Sequence, residues 1–182
     1  MKKKIKLHLG CGKRDFGSDW VHIDGSAFSH VSSHDIVNPP FKKNSVDLIY
    51  ASHVLEYFDR EQGCKVLSKW YSILKSGGTL RLAVPDFEVV SELYHSKKYD
   101  LSSFIGPLYG KMKMSDQNIY HKTVYDFNGL RKKLTLVGFY SIKRYNWRDT
   151  EHSHVDDHSQ AYLPHMNKET GTLISLNVEA TK

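Results

Sequence analysis

The stretch from Ile5 to Gly12 constrains this chain more than any other. Ile5, Leu7 and Leu9 alternate with Lys6 and His8, which is the two-residue period of a strand, and the pattern stops at Gly10-Cys11-Gly12. A strand that runs into paired glycines makes a tight bend whose backbone amides a ligand can approach closely, because no side chain stands in the way. The rest of the chain must then supply the sheet to which this strand belongs.

Short strands are predicted at Val21–Ile23, around Val31 and at Val46–Tyr50. Between Asp59 and Leu74 the apolar residues Val66, Leu67, Trp70, Ile73 and Leu74 fall on one helical stripe, Asp59 with Gln62 has the form of a capping box, and Gly77-Gly78 reads as the stop. Thr79–Val84 reads as a buried strand and Phe87–Tyr94 as a short helix. Strands and helices in alternation favour a parallel sheet with helices on its faces.

Residues 96–125 form an excursion longer than ordinary loops, with Gly106, Pro107 and Gly110, and read as a cover over a site. A helix led by Asp126 and ended by Gly138 follows, then a strand at Phe139–Tyr145. A polar, His-rich stretch from Trp147 to Lys168 precedes a final strand, Thr172–Ala180.

At 182 residues and 40% hydrophobic content, the chain suits one domain, 1–182, with a regular half (1–95) and an irregular one (96–182). No apolar run approaches the roughly 20 residues of a membrane span, and no apolar secretory stretch follows Met1–Lys4, so a cytoplasmic protein is expected. Two cysteines, Cys11 and Cys64, define no disulfide framework. The net charge of +6 comes from short scattered runs (Lys2–Lys4, Lys42-Lys43, Arg131–Lys133) and reads as a solvated basic surface rather than a nucleic-acid footprint.

Asp24 closes the second strand, where a carboxylate can accept two hydrogen bonds from ribose hydroxyls at the sheet's carboxyl edge; the alternative is a turn residue before Gly25. The dinucleotide fingerprint is missing, because Lys13, Arg14 and Asp15 follow Gly12 and Gly17 comes too late. Asn38-Pro39-Pro40-Phe41 copies an amino-methylating signature but precedes the fourth strand instead of following it, so it reads as a turn.

Leu7-His8-Leu9-Gly10-Cys11-Gly12, Trp20-Val21-His22-Ile23-Asp24, His34-Asp35-Ile36, Pro40-Phe41, Ser45–Tyr50, His53-Val54-Leu55-Glu56, Leu74–Leu80 and Val84-Pro85-Asp86 resemble the ordered motifs of class I S-adenosylmethionine-dependent methyltransferases. The likeness is greatest to short bacterial and viral members associated with polysaccharide assembly, which share the ending Ser175–Ala180. It implies a Rossmann-like α/β fold: a mostly parallel twisted sheet with helices on both faces, an antiparallel final strand and a shortened first helix. It implies that 1–95 is the cofactor-binding half and 96–182 the substrate side.

The resemblance further implies that Gly10, Cys11 and Gly12 meet the methionine part of S-adenosylmethionine, Asp24 the ribose, and Asp35 with the Ile36 amide the adenine, while Ser52 and His53 border the sulfonium. The family's Leu-Glu-His run is Leu55-Glu56-Tyr57 here, so position 57 brings no imidazole. Gly12 to Trp20 is too short for the long first helix, so other segments must help to hold the amino acid of the cofactor.

A hydroxyl acceptor needs a base, and histidine suits neutral pH. His121, in the excursion and in a His-Lys pair resembling one in the family, is the first candidate, and His53 is the second; either could instead be structural. Asp86 could orient a substrate hydroxyl or cap the next helix. His152, His154, Asp156, Asp157 and His158 have metal-binding chemistry without diagnostic spacing, so a polar loop is expected and no metal is assigned. Tyr109, Tyr120, Tyr125 and Trp147 could form a platform for a sugar ring. The expected function is O-methylation of a sugar hydroxyl in a surface glycan or its precursor, releasing S-adenosylhomocysteine. The alternatives are a nucleic-acid or small-amine methyltransferase, or a cofactor-binding accessory module without turnover.

Overall fold

In the computed structural model, which describes residues 3–114 and 116–182, the chain builds a seven-stranded sheet and, among the described residues, two small two-stranded ones. The strands are β1 (Lys6–Leu9), β2 (Trp20–Ile23), β3 (Val31–Ser33), β4 (Val46–Ser52), β5 (Leu74–Pro85), β6 (Met112–Met114), β7 (Gln117–Ile119), β8 (Tyr140–Arg144), β9 (Tyr162–Leu163), β10 (Thr172–Leu173) and β11 (Ser175–Thr181). The helices are α1 (Arg60–Ile73), α2 (Phe87–His95), α3 (Ser102–Tyr109) and α4 (Phe127–Val137).

The order of the large sheet is β3-β2-β1-β4-β5-β11-β8, and β6–β7 and β9–β10 are the small ones. β1 to β5 pair in parallel, and β11 runs antiparallel between β5 and β8. The order reverses direction between β1 and β4, and in open α/β sheets ligands bind at the carboxyl ends of the strands at such a point.

The period-two alternation sorts side chains to two different faces. Leu7, Leu9, Ile23, Ile49, Ala51, Leu80, Leu82 and Val178 join one core with Val66, Leu67 and Trp70 of α1 and Leu130 and Leu134 of α4. Asp59 caps α1 by accepting from the amides of Glu61 (3.0 Å) and Gln62 (2.7 Å), and Asp126 caps α4 through Gly129 (2.6 Å), as the sequence predicts.

The opposite face carries His8, Trp20, His22, Leu48 and Tyr50, buried under Phe16 of the 12–19 turn and under His152 and Val155. No helix lies between β1 and β2, so this short turn and the His-rich segment, with its 3-10 turns at Trp147–Asp149 and His158–Gln160, supply that cover.

The predicted glycine stop is corrected. α1 ends at Ile73 because Leu74 turns extended (φ −62°, ψ 142°) to pair with Val46; residues 75–78 form a bulge in β5 before pairing resumes at Leu48 and Thr79. Asn38–Phe41 is a turn, closed by the Phe41 amide on the Pro39 carbonyl at 2.7 Å. The 96–125 excursion contains α3 and the β6–β7 hairpin, which the sequence did not resolve. No helix of the described residues is long and apolar enough to cross a membrane.

Candidate functional site at the carboxyl edge of the sheet

The bend after β1 meets the end of β2 through a carboxylate. Gly10 has φ +67° and donates its amide to the Ile23 carbonyl (2.8 Å). A Cβ on Gly10 would lie 2.2 Å from Val54 Cγ2, so no other residue fits beneath the turn after β4. Gly12 (φ +54°) donates its amide to Asp24 Oδ2 at 2.7 Å, and the Ser26 amide donates to Oδ1 at 2.7 Å. Each carboxylate oxygen thus keeps acceptor capacity for a further donor.

Cys11 is buried within the bend, with Sγ 3.7 Å from His30 Nε2. Burial, with the charge of Asp24 adding to it, pushes its thiol up to about 12. At neutral pH it is a packed thiol, not a nucleophile.

Asp35 is exposed beyond β3. Its Oδ1 accepts from the amides of Val37 (3.0 Å) and Asn38 (2.8 Å). The Ile36 carbonyl accepts from Trp70 Nε1 at 2.8 Å, and His34 Nδ1 bonds the Asp24 carbonyl at 2.9 Å, tying the loops after β2 and β3 together.

A second cluster forms where β4 ends. Ser52 is buried with a hydroxyl that finds no partner among the described residues. His53 adopts the left-handed region (φ +54°), unusual for a side chain of its size, with its amide held by the Ala83 carbonyl at 2.8 Å. Its Nδ1 lies 3.2 Å from Glu56 Oε1 and its Nε2 3.3 Å from Ser175 Oγ.

His121 arrives from the excursion. The amides of Lys122 (2.8 Å) and Thr123 (3.3 Å) donate to the Glu56 carbonyl, and the His121 amide donates to Tyr109 (2.7 Å). These bonds set His121 Nε2 3.8 Å from Glu56 Oε1, while Nδ1 faces the Pro107 carbonyl at 3.2 Å. Tyr57 packs its ring edge-on against His121, centroids 4.7 Å apart.

Glu56 is the residue that sequence reasoning missed. It is 0% exposed, neither carboxyl oxygen makes a hydrogen bond to a described residue, and burial pushes its pKa up to about 8. The only signal was its place in the Leu55-Glu56-Tyr57 run. His53 and His121 move the other way. Burial, chiefly, holds His53 well below its ordinary value and lowers His121, so both rings are neutral at pH 7.

The hydrogen bonds assign the proton positions. A carbonyl only accepts, so His121 Nδ1 bears hydrogen and Nε2 a lone pair. Ser175 donates to Asn177 Oδ1 (3.1 Å), so His53 Nε2 donates to Ser175, which leaves the lone pair on Nδ1, the nitrogen that lies 3.2 Å from Glu56 Oε1.

The other candidates have different surroundings. Asp86 stands at the N-cap position of α2, but its side chain makes no capping bond. Its Oδ2 accepts from Arg144 Nη1 at 2.8 Å because that guanidinium crosses from β8, which corrects the capping expectation. Tyr125 and Trp147 are buried, while Tyr109 and Tyr120, both close to His121 along the chain or through its amide, are 58% and 46% exposed, so of these four only the latter two have rings open to solvent. Among the described residues no three His, Cys, Asp or Glu side chains converge on a metal position: His152 stacks on Phe16, Asp156 pairs with Lys168, and Asp157 binds Tyr50 and Ser159.

Residues 18–82 match the family model described as "Methyltransferase domain". No curated protein matches the chain. Among solved structures, similarity extends to an S-adenosylmethionine-dependent methyltransferase from Thermotoga maritima, described as a possible histamine N-methyltransferase. That pair is 16% identical over 100% of this chain and 83% of the other, with a TM-score of 0.57. An S-adenosylmethionine-dependent methyltransferase from Archaeoglobus fulgidus is 14% identical over 98% and 86%, TM-score 0.58. The 1,6-didemethyltoxoflavin-N1-methyltransferase of Burkholderia thailandensis, solved with 1,6-didemethyltoxoflavin and S-adenosylhomocysteine bound, is 12% identical over 98% and 70%, TM-score 0.55. At these identities the likeness is one of fold.

Proposed function

We propose that this chain, which has the Rossmann-like fold of the S-adenosylmethionine-dependent methyltransferases, O-methylates a sugar hydroxyl of a surface glycan or its precursor. The carrying observation is the 2.7 Å bond from the Gly12 amide to Asp24 at the switch point of the sheet, which joins a glycine bend and a carboxylate with acceptor capacity to spare.

These residues fit an adenosyl cofactor. Gly12 leaves its outer side open, for a Cβ there would meet nothing nearer than Arg14 Nη1 at 3.8 Å. Asp24 would take the ribose hydroxyls, Asp35 and the Ile36 amide the adenine, the Gly10–Gly12 bend the methionine part, and Ser52 and His53 would border the sulfur. When bound, S-adenosylmethionine supplies a methyl group on a positively charged sulfur and leaves as S-adenosylhomocysteine.

Displacement at a methyl carbon is in-line, so the chain's main work is to hold the acceptor close and aligned. Removal of the acceptor's proton falls to His121, whose Nδ1 hydrogen is held by the Pro107 carbonyl and whose Nε2 lone pair makes no hydrogen bond, whereas His53 turns Nε2 to Ser175 and Nδ1 to the buried Glu56. The Glu56–His53 pair is then a neutral buried support. Exposed Tyr109 and Tyr120 flank the approach and suit the apolar face of a sugar ring.

Two predictions follow from this geometry. Asp24→Ala removes a charged acceptor and slackens the bend, so affinity for S-adenosylhomocysteine falls by about 1–3 kcal/mol in calorimetry; unchanged affinity would take Asp24 out of the site. Gly110 has φ +52°, and a Cβ on it would lie 2.4 Å from His121 Nε2. Gly110→Ala therefore displaces the imidazole and lowers kcat more than about tenfold at undiminished cofactor affinity. Wild-type kcat would separate this ring from the chemistry.

A small amine is the second reading, favoured by two neighbours whose descriptions name N-methyltransferases. Release of S-adenosylhomocysteine across paired panels of sugars and amines distinguishes the two. Binding without release in either panel identifies an accessory module.

A further inference from the structure

The short turn between β1 and β2 carries a cation that no nearby acid neutralises. Arg14 is partly buried, its Nε donates to the Asp156 carbonyl at 2.9 Å, and it forms no ion pair among the described residues. The neighbouring acids are engaged elsewhere. Asp15 accepts from the Gly17 amide (2.7 Å) and faces His22 Nε2 (3.5 Å), Asp156 pairs with Lys168 (2.7 Å), and Asp24 holds the Gly12 and Ser26 amides.

The guanidinium points to the open side of the glycine bend, with Nη1 3.8 Å from where a Gly12 Cβ would stand. Its charge also reaches the ends of β1 and β4, where it adds to burial in holding His8 and His53 low. A partly desolvated guanidinium without an anion is an unfavourable arrangement, and its planar fork matches a carboxylate.

The missing first helix gives the charge a purpose. A helix amino terminus after a glycine bend ordinarily offers amides and a partial positive charge to an anion. Here residues 12–19 form turns only, so the bend has no helix end behind it. Arg14 puts a full charge where that partial charge is lacking.

We infer that Arg14 binds the α-carboxylate of the methionine portion of the cofactor, a contact that rests on the adenosyl reading above. The terminal guanidinium nitrogens meet the carboxylate oxygens while Nε stays on the Asp156 carbonyl, so the turn over the His-rich face and the ligand share one side chain.

Calorimetry with S-adenosylhomocysteine and with 5′-methylthioadenosine, which has the nucleoside and thioether but no amino acid, tests the assignment. In Arg14→Gln, affinity for S-adenosylhomocysteine should fall about tenfold or more while affinity for methylthioadenosine is unchanged; Arg14→Lys should fall between wild type and Gln. An unaltered affinity for S-adenosylhomocysteine in Arg14→Gln overturns the inference. Equal weakening of both ligands also overturns it, because that is the signature of a residue that merely props the turn. A wild-type protein that binds neither compound removes the adenosyl reading itself, a different outcome from the other two.

Discussion

Alanine at position 121 is expected to reduce turnover about a hundredfold or more, with affinity for S-adenosylhomocysteine little changed. The reason is local. Pro107 holds the Nδ1 hydrogen, which leaves Nε2 as the acceptor, and the missing side chain of Gly110 makes room for the ring itself. Because burial lowers the ring's pKa, the acid limb of kcat/KM should lie below pH 6.5, the ordinary histidine value. A fully active His121→Ala protein would end the assignment, as would an acid limb unchanged by the substitution.

The second large effect is on stability. His8, His22 and His152 are 1%, 4% and 3% exposed, and burial is the first cause of a lowered pKa at each, with His152 brought to about 4. His22 Nε2 accepts the Phe16 amide at 2.9 Å, a bond that protonation of that nitrogen abolishes. The unfolded chain binds protons near pH 6.5 and the folded one only at lower pH. This stability is therefore complete above 6.5 and is lost as pH falls toward 4.

At about 1.4 kcal/mol per unit, His152 alone accounts for roughly 3 kcal/mol by pH 4. His53 and His121 add to the loss with the same sign. Glu56 has the opposite sign. Its folded pKa, about 8, stands above the ordinary 4.5, so it destabilises the fold as pH rises between those values. Urea midpoints should thus peak near pH 6.5, drop steeply on the acid side and decline gently toward pH 8. A flat profile from pH 7 to 4.5 would mean that the histidine-rich face admits water.

The first five strands were legible because their hydrophobic alternation and turn residues agree with the sheet, and both caps were legible because Asp59 and Asp126 sit directly before helical stripes. The opposite sheet face was not. A histidine at alternate strand positions, as at His8 and His22, reads as facing solvent, and only tertiary cover from Phe16 and His152 makes it interior. Gly77-Gly78 misled because a glycine pair after a stripe is a helix stop in most settings, whereas pairing of Leu74 with Val46 ended α1 sooner. For the candidate site, sequence gave the bend, Asp24 and the two histidines as separate positions. It gave no reason to expect Glu56 between the imidazoles, since an acid in a short polar turn ordinarily faces water, nor an Arg144 guanidinium on Asp86.

The excursion that delivers His121 also reaches the loop after β2. The Met114 sulfur at the hairpin lies 3.0 Å from where a Cβ of Gly25, next to Asp24, would stand. The excursion thus touches both the loop after β2, beside Asp24, and the cluster of Glu56 and His53 after β4. The amides of Lys122 and Thr123 on the Glu56 carbonyl anchor the return of this stretch beside His53.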